Sequence, residues 1–288
     1  MQVGVVSQIW RYPVKSMGGE RLQRCQVEDV FGVAGDRGWA LWDEEAGELR
    51  SAKQLPGLLH CNARYREEPC GAAVPPMDIE LADGRIVASD DPQASAHLSA
   101  ALGGRLRLCA RRPADDLDHY RRARHIEDPI AEIRLSAELL PDEPVPDVNL
   151  DDIPPELFEF ATPPGTYFDA YQLHVITTAS LAELARRTPD ARIDVRRFRP
   201  NIVVDTGAEV HGFLEFDWCG RELRIGAARG QAVLPMMRCA MTTHAQRDLR
   251  KEPAIMRTLV RAAQMNFGIG VTVTNPGAVR VGDTVEVV

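Results

Sequence analysis

Hydrophobic and polar positions alternate with a period of two at both ends of the chain, and the pattern loosens between them. At the C-terminal end, GIGVTVTNPGAVRVGDTVEVV alternates on both sides of Asn275-Pro276-Gly277 and predicts a terminal hairpin. Near the N-terminus, VGVVSQIWRYPV, RLQRCQVEDV and WALWDEE are short runs rich in β-branched and aromatic residues, separated by the turn-forming GGE and GVAGD. They predict a strand-turn-strand opening. Asp91-Pro92 and Gly103-Gly104 bracket a helix of about three turns. Further on, LHVIT reads as a buried strand, and Ser180 with Glu183 has the capping-box pattern for the helix after it. FRPNIVVD and ELRIGAARGQAVL read as strands, and residues 253–264 as a helix.

From Arg111 to Gly165 the periodicity disappears. RRPADDLDHYRRARHIEDP is charge-dense and PDEPVPDVNLDDIPPELFEFATPPG is crowded with prolines and acids, the composition of an irregular surface segment, either a linker or a lid over a site. The expected organisation is a β-rich N-terminal domain over 1–112, a Pro/Asp-rich connecting segment over 113–165 and a core domain over 166–288. Many short strands, few helices and no regular βαβ alternation predict an α+β, mostly β fold of β-barrel type.

Charge and composition narrow the chemistry. A chain of 288 residues with a formal net charge of -8 can build a sizeable core and lacks the basic balance for a sequence-independent grip on nucleic acid. The N-terminal MQVGVVSQIWRYPVKS lacks the order of a signal peptide, and no apolar run approaches the roughly 20 residues of a membrane span. The expectation is a cytoplasmic protein with no membrane or nucleic-acid partner. The six cysteines lack CxxC spacing and read as free thiols. GxSxG, HExxH, P-loop and GxGxxG patterns are all absent from the sequence.

Cys239 stands apart because of its neighbours. Arg238 precedes it and His244 follows, a positive setting that favours the thiolate, the form that acts as nucleophile or soft-metal ligand. On local sequence alone, a single cysteine is more often a small buried apolar residue. Three other stretches end or start β elements with a cation or amide: Lys15-Ser16, Asp36-Arg37 before Trp39, and Arg199-Pro200-Asn201. Singly each reads as a surface ion-pair residue; jointly they offer donors for a phosphate or a polar heterocycle.

YPVKS, SAKQLP after the DR-x-W turn, TASLAEL, FRPNIVV, the RC-x-x-TT core, RKEP, NFG and NPGAVRVGDTV occur in that order. Together they resemble the MOSC family, named for the molybdenum cofactor sulfurase C-terminal domain, and within it the mitochondrial amidoxime-reducing components and their bacterial relatives. The resemblance implies a MOSC β-barrel-like domain, an N-terminal β-rich companion and a molybdenum cofactor (Mo-molybdopterin) in the cleft between them. It implies that Cys239 ligates the metal and is catalytic, and that Lys15, Ser16, Arg37, Thr177, Arg199, Asn201 and Arg238 bind the cofactor. Thr177 stands where relatives can have serine, and Met237 departs from the small polar residue some relatives place before the Arg-Cys pair. The implied activity is reduction of N-hydroxylated small molecules, such as amidoximes and hydroxylamines, by oxygen atom transfer to molybdenum. Electrons are expected from an external donor protein: a flavoprotein reductase, a ferredoxin or a cytochrome b5-like protein. The alternative is a cofactor or sulfur carrier in maturation, with Cys239 as persulfide or transient ligand.

Overall fold

The computed structural model describes residues 1–146 and 156–288. Its architecture is mostly β, centred on a closed seven-stranded barrel. Around the barrel run the strands Ile202–Asp205, Leu173–Thr177, Asn266–Asn275, Ala228–Met237, Glu222–Ile225, Thr284–Val287 and Gln2–Arg11. The last of these pairs back onto Ile202–Asp205, with Val6 opposite Val204 and Ile9 opposite Ile202, and leaves the barrel no open edge. The strand at the beginning of the chain is therefore a stave between two C-terminal strands.

Of the barrel pairings only Leu173–Thr177 with Ile202–Asp205 is parallel. Parallel neighbours need a crossover, supplied here by the helix Thr178–Arg187. That helix and Pro253–Ala263 cover the outside of the barrel, so strands beneath them are apolar on both faces. Val175, Ile202 and Val204 point inward to the barrel core with Ile269, Val271 and Val285. Ile176 and Val203, one residue out of phase, meet Leu184, Ile255, Leu259 and Phe267 outside. This explains why all five residues of LHVIT are buried.

A second core surrounds Val14, Met17, Leu41, Leu58, Met77, Ile79 and Leu98. Two three-stranded sheets build it, one of Trp39–Asp43 with Glu48–Arg50 and Leu106–Ala110, the other of Asn62–Tyr65, Met77–Glu80 and Ile86–Ala88. The helix between Asp91 and Gly103 forms as Ala94–Leu102, and Gly103 ends it at φ 84°. Among the described residues no helix is long and apolar enough to cross a membrane.

Two expectations need correction. The C-terminal alternation is no hairpin: Asn266–Asn275 pairs with Leu173–Thr177 and Ala228–Met237, Gly277–Arg280 with Arg24–Glu28, and Thr284–Val287 with Gln2–Arg11 and Glu222–Ile225. The turn at Pro276 sends the chain to a different sheet. The helix expected to start at Ser180 starts at Thr178, capped by Thr177, whose hydroxyl accepts from Ser180 N at 3.0 Å. Glu183 instead pairs with Arg186 and Arg187. Within the segment expected to be irregular, Leu117–Tyr120, Pro129–Ser136 and Glu156–Glu159 are helical. Its portion at 147–155 lies outside the described residues.

Candidate functional site

Three residues singled out from the sequence have left-handed backbone: Ser16 at φ 67°, Arg37 at φ 48° and Arg199 at φ 54°. For a residue with a Cβ that conformation costs on the order of 1–3 kcal/mol and persists where the surroundings enforce it. At Ser16 they do so through Lys15 N, which donates to Trp39 O at 2.8 Å, and through Ser16 Oγ, which accepts from Ala52 N at 3.0 Å. At Arg37 the backbone N donates to Tyr12 O at 2.7 Å. Arg199 is wedged between buried Phe198 and Pro200 at the mouth of the barrel strand Ile202–Asp205.

These strained turns meet at one cavity of about 70 Å³ lined by Lys15, Ser16, Arg37, Arg199, Asn201, Arg238 and Cys239. Residues from the first strand-turn region face residues from the barrel across it. Lys15 Nζ donates to Tyr167 O at 3.1 Å and lies 2.5 Å from Asp169, while Arg37 pairs with buried Asp36. The Arg199 and Arg37 guanidinium carbons sit 4.3 and 5.2 Å from the centroid of the Tyr12 ring. Arg238 Nη2 donates to Phe198 O at 2.8 Å.

So many cations in one buried place are held at a cost. Burial lowers the Lys15 pKa, with Arg37 and Lys53 adding repulsion against the pull of Asp169. Burial, then Arg37, lowers Arg199 to about 10, and burial lowers Arg238 as well. Among the described residues, Arg199 Nη2 and Arg238 Nε, on two arginines that line the cavity, are buried without a hydrogen-bond partner, as is Oη of Tyr12, which does not line it. Buried donors are almost always paired, so the two guanidinium donors call for an acceptor that the described residues do not provide.

Asn201 lines the cavity with its amide already engaged: Oδ1 accepts from His174 N at 3.0 Å and Nδ2 donates to Asp36 at 2.9 Å. It clamps the barrel to the turn that carries Arg37. Cys239 follows the strand Ala228–Met237 and precedes the single turn Ala240–Thr242, and its carbonyl accepts from Thr242 N and Oγ1 at 3.3 and 3.1 Å. The thiols of Cys25, Cys61 and Cys219 are pushed up by burial to about 12, 11 and 11, and none of the three lines this cavity. Thr177 is outside it. That side chain is fully buried, capping its helix and donating to Glu215 at 2.7 Å.

Sequence reasoning missed Asp36 as the hub, Tyr12, Asp169 and His174. Asp36 accepts from Tyr12 N at 2.7 Å as well as from Asn201 and Arg37. The Asp-Arg pair was visible as a dipeptide, but its convergence with Asn201 is made by the fold. Burial, then Arg238, lowers the His174 pKa to about 3, so the imidazole beside the arginines stays neutral.

A closed β-barrel carrying a buried, cation-lined cavity beside one thiol is the class of structure defined here. The chain belongs to the MOSC family: residues 163–286 match the MOSC domain and residues 3–103 the MOSC N-terminal beta barrel domain. It is similar to mitochondrial amidoxime reducing component 2 of Bos taurus, 27% identical over 99% of this chain and 83% of that protein. The Homo sapiens protein of the same name is 28% identical over the same shares. A molybdenum cofactor sulfurase of Drosophila grimshawi is 37% identical across 34% of this chain and 12% of its own length.

Proposed function

We propose that the chain is a molybdenum-cofactor-dependent reductase of N-hydroxylated compounds, with Cys239 as the protein ligand to the metal. The observation that carries this reading is the pair of unpartnered donors, Arg199 Nη2 and Arg238 Nε, on two arginines that line the cavity together with Cys239. Such a cavity suits a group that is anionic at one end and thiophilic at the other. Lys15, Arg37, Arg199 and Arg238 would hold its phosphate and polar ring, Ser16 would add a hydroxyl, and Asn201 would position Arg37 through Asp36. When bound, the cofactor supplies the two-electron chemistry that removes the oxygen of an N–O bond. The chain's part is to bind and orient it and to keep a neutral His174 beside the arginines. Electrons come from a separate donor protein, a flavoprotein reductase, a ferredoxin or a cytochrome b5-like protein. The test is metal analysis of protein made in a cofactor-competent host, together with turnover of a model amidoxime by reduced viologen. Near-stoichiometric molybdenum and turnover are expected; a Cys239 persulfide without metal overturns the reading in favour of a sulfur carrier.

A further inference from the structure

Cys239 lines a second cavity, of about 360 Å³, which shares Lys15, Asp169, Met236 and Arg238 with the cation-lined one. Ligand cavities span roughly 300–1,000 Å³, so this one is large enough for a small organic molecule. Its lining is mixed: Leu49, Ile133, Phe160, Met236 and Met237 contribute apolar surface, while Lys53, Arg122, Glu48 and Glu132 add charges of both signs to the shared Lys15, Arg238 and Asp169. One thiol thus stands between a place for an anion and a place for an organic body.

The helix Pro129–Ser136 makes one wall of the larger cavity. Asp128 caps it by accepting from Ala131 N at 3.0 Å, and Pro129 presets its first turn. Glu132 and Ser136, one turn apart, face the cavity together with Ile133. Ile133 also reaches the cluster behind the cavity wall, where fully buried Ala137 and half-buried Leu139, just past the helix, pack with Met256, Val260 and Met265. Just beyond, Glu138 lies 3.0 Å from His244 Nε2 and 3.3 Å from Lys251 Nζ, and Glu143 pairs with Arg257 at 2.6 Å. Part-exposed ion pairs are weak individually, but together with the buried Ala137 contact they make a fixed wall.

We propose that this cavity admits substrate to the Cys239 centre and that the Pro129–Ser136 helix sets the size of what enters. It takes compact N-hydroxylated compounds with an apolar body the size of one aromatic ring. The identity of the reacting group rests on the reductase reading; the control of access to Cys239 does not.

Two variants of opposite sign test it in the full chain. In protein from a host that makes no pterin cofactor, alkylation of Cys239 by iodoacetamide and by a bulky pyrene maleimide is followed by mass spectrometry, with exposed Cys70 as internal control. Ser136→Trp should slow the bulky reagent roughly tenfold or more with a much smaller effect on the small one, and Ile133→Ala should speed the bulky reagent. In molybdenum-loaded protein, Ser136→Trp should raise KM for an aryl amidoxime and leave KM for hydroxylamine unchanged. Access that responds identically for both reagents in both variants overturns the wall. Size-selective alkylation in the cofactor-free protein, together with a molybdenum-loaded wild type that reduces no N–O bond, supports the wall and overturns the reductase reading.

Discussion

Replacing Arg199 with methionine separates a cation kept for a bound anion from one kept for the fold. The side chain is 9% exposed, and burial followed by repulsion from Arg37 lowers its pKa from 12.5 to about 10. At about 1.36 kcal/mol per pH unit, folding disfavours the charged form by roughly 3 kcal/mol. Because the unfolded chain binds this proton more tightly, the penalty is full below about pH 10 and is relieved only as pH rises from there to 12.5. Against it stand the stacking 4.3 Å over Tyr12 and a hydrogen bond to Met17 O, together about 2–5 kcal/mol. Methionine removes both sides of this balance. The cofactor-free melting temperature should therefore stay within about 3 °C of wild type, whereas loss of one partner from an ordinary buried ion pair costs about 3–5 kcal/mol, roughly 5–8 °C for a chain of 288 residues. Differential scanning fluorimetry with inorganic phosphate supplies the second axis. Phosphate at about a hundred times its Kd adds about 2.7 kcal/mol to wild type, and Arg199→Met should lose most of that increment. A melting temperature lowered by more than about 5 °C with the phosphate response intact would refute the reasoning.

Cys239→Ala should abolish molybdenum retention and amidoxime turnover while shifting the cofactor-free melting temperature by no more than a few degrees, since the residue is half-buried at a cavity rather than in a core; Cys25, Cys61 and Cys219 variants should keep the metal. Lys15→Ala or Arg238→Ala should weaken cofactor retention through dialysis by about one to two powers of ten, the worth of a charged hydrogen bond, and full retention by both would remove the phosphate from this site. His174, lowered to about 3 by burial and Arg238, binds its proton less tightly in the fold than in the unfolded chain. Its contribution to stability is full above about pH 6.5 and is lost toward pH 3 at about 1.4 kcal/mol per pH unit, so His174→Gln should flatten that limb in urea titrations.

What was legible in the sequence was local. A two-residue period recovered the strands of the C-terminal end, and short β-branched runs recovered Leu173–Thr177 and Ile202–Asp205. Proline at the start and a left-handed Gln264 at the end bound the helix Pro253–Ala263 where expected. The alternation in Asn266–Asn275 carries no record of its partner, however. Val271 and Val273 face the same interior whether the next strand lies beside them or across the molecule, and here Ala232 and Gly230 are their neighbours. A hairpin was the shortest loop consistent with the pattern, and barrel closure was the arrangement that left no strand edge exposed.

The candidate site divides in the same way. Residue types capable of holding an anion and a soft metal were readable at Lys15, Arg37, Arg199, Arg238 and Cys239, because charge and thiol chemistry belong to the side chain itself. Their meeting was not, because Lys15 and Arg199 are brought together only when the first strand of the chain closes the barrel against Ile202–Asp205. The strain at Ser16, Arg37 and Arg199 was equally hidden: positive φ is advertised by glycine and is silent in a residue forced into it by its neighbours. Thr177 shows the converse, a residue in the right motif whose hydroxyl the fold spends on a helix cap and on Glu215. Sequence determined the chemistry available, since that is a property of each side chain. Tertiary structure decided which groups are left buried and unpaired, since only packing can remove a guanidinium from water and withhold its partner.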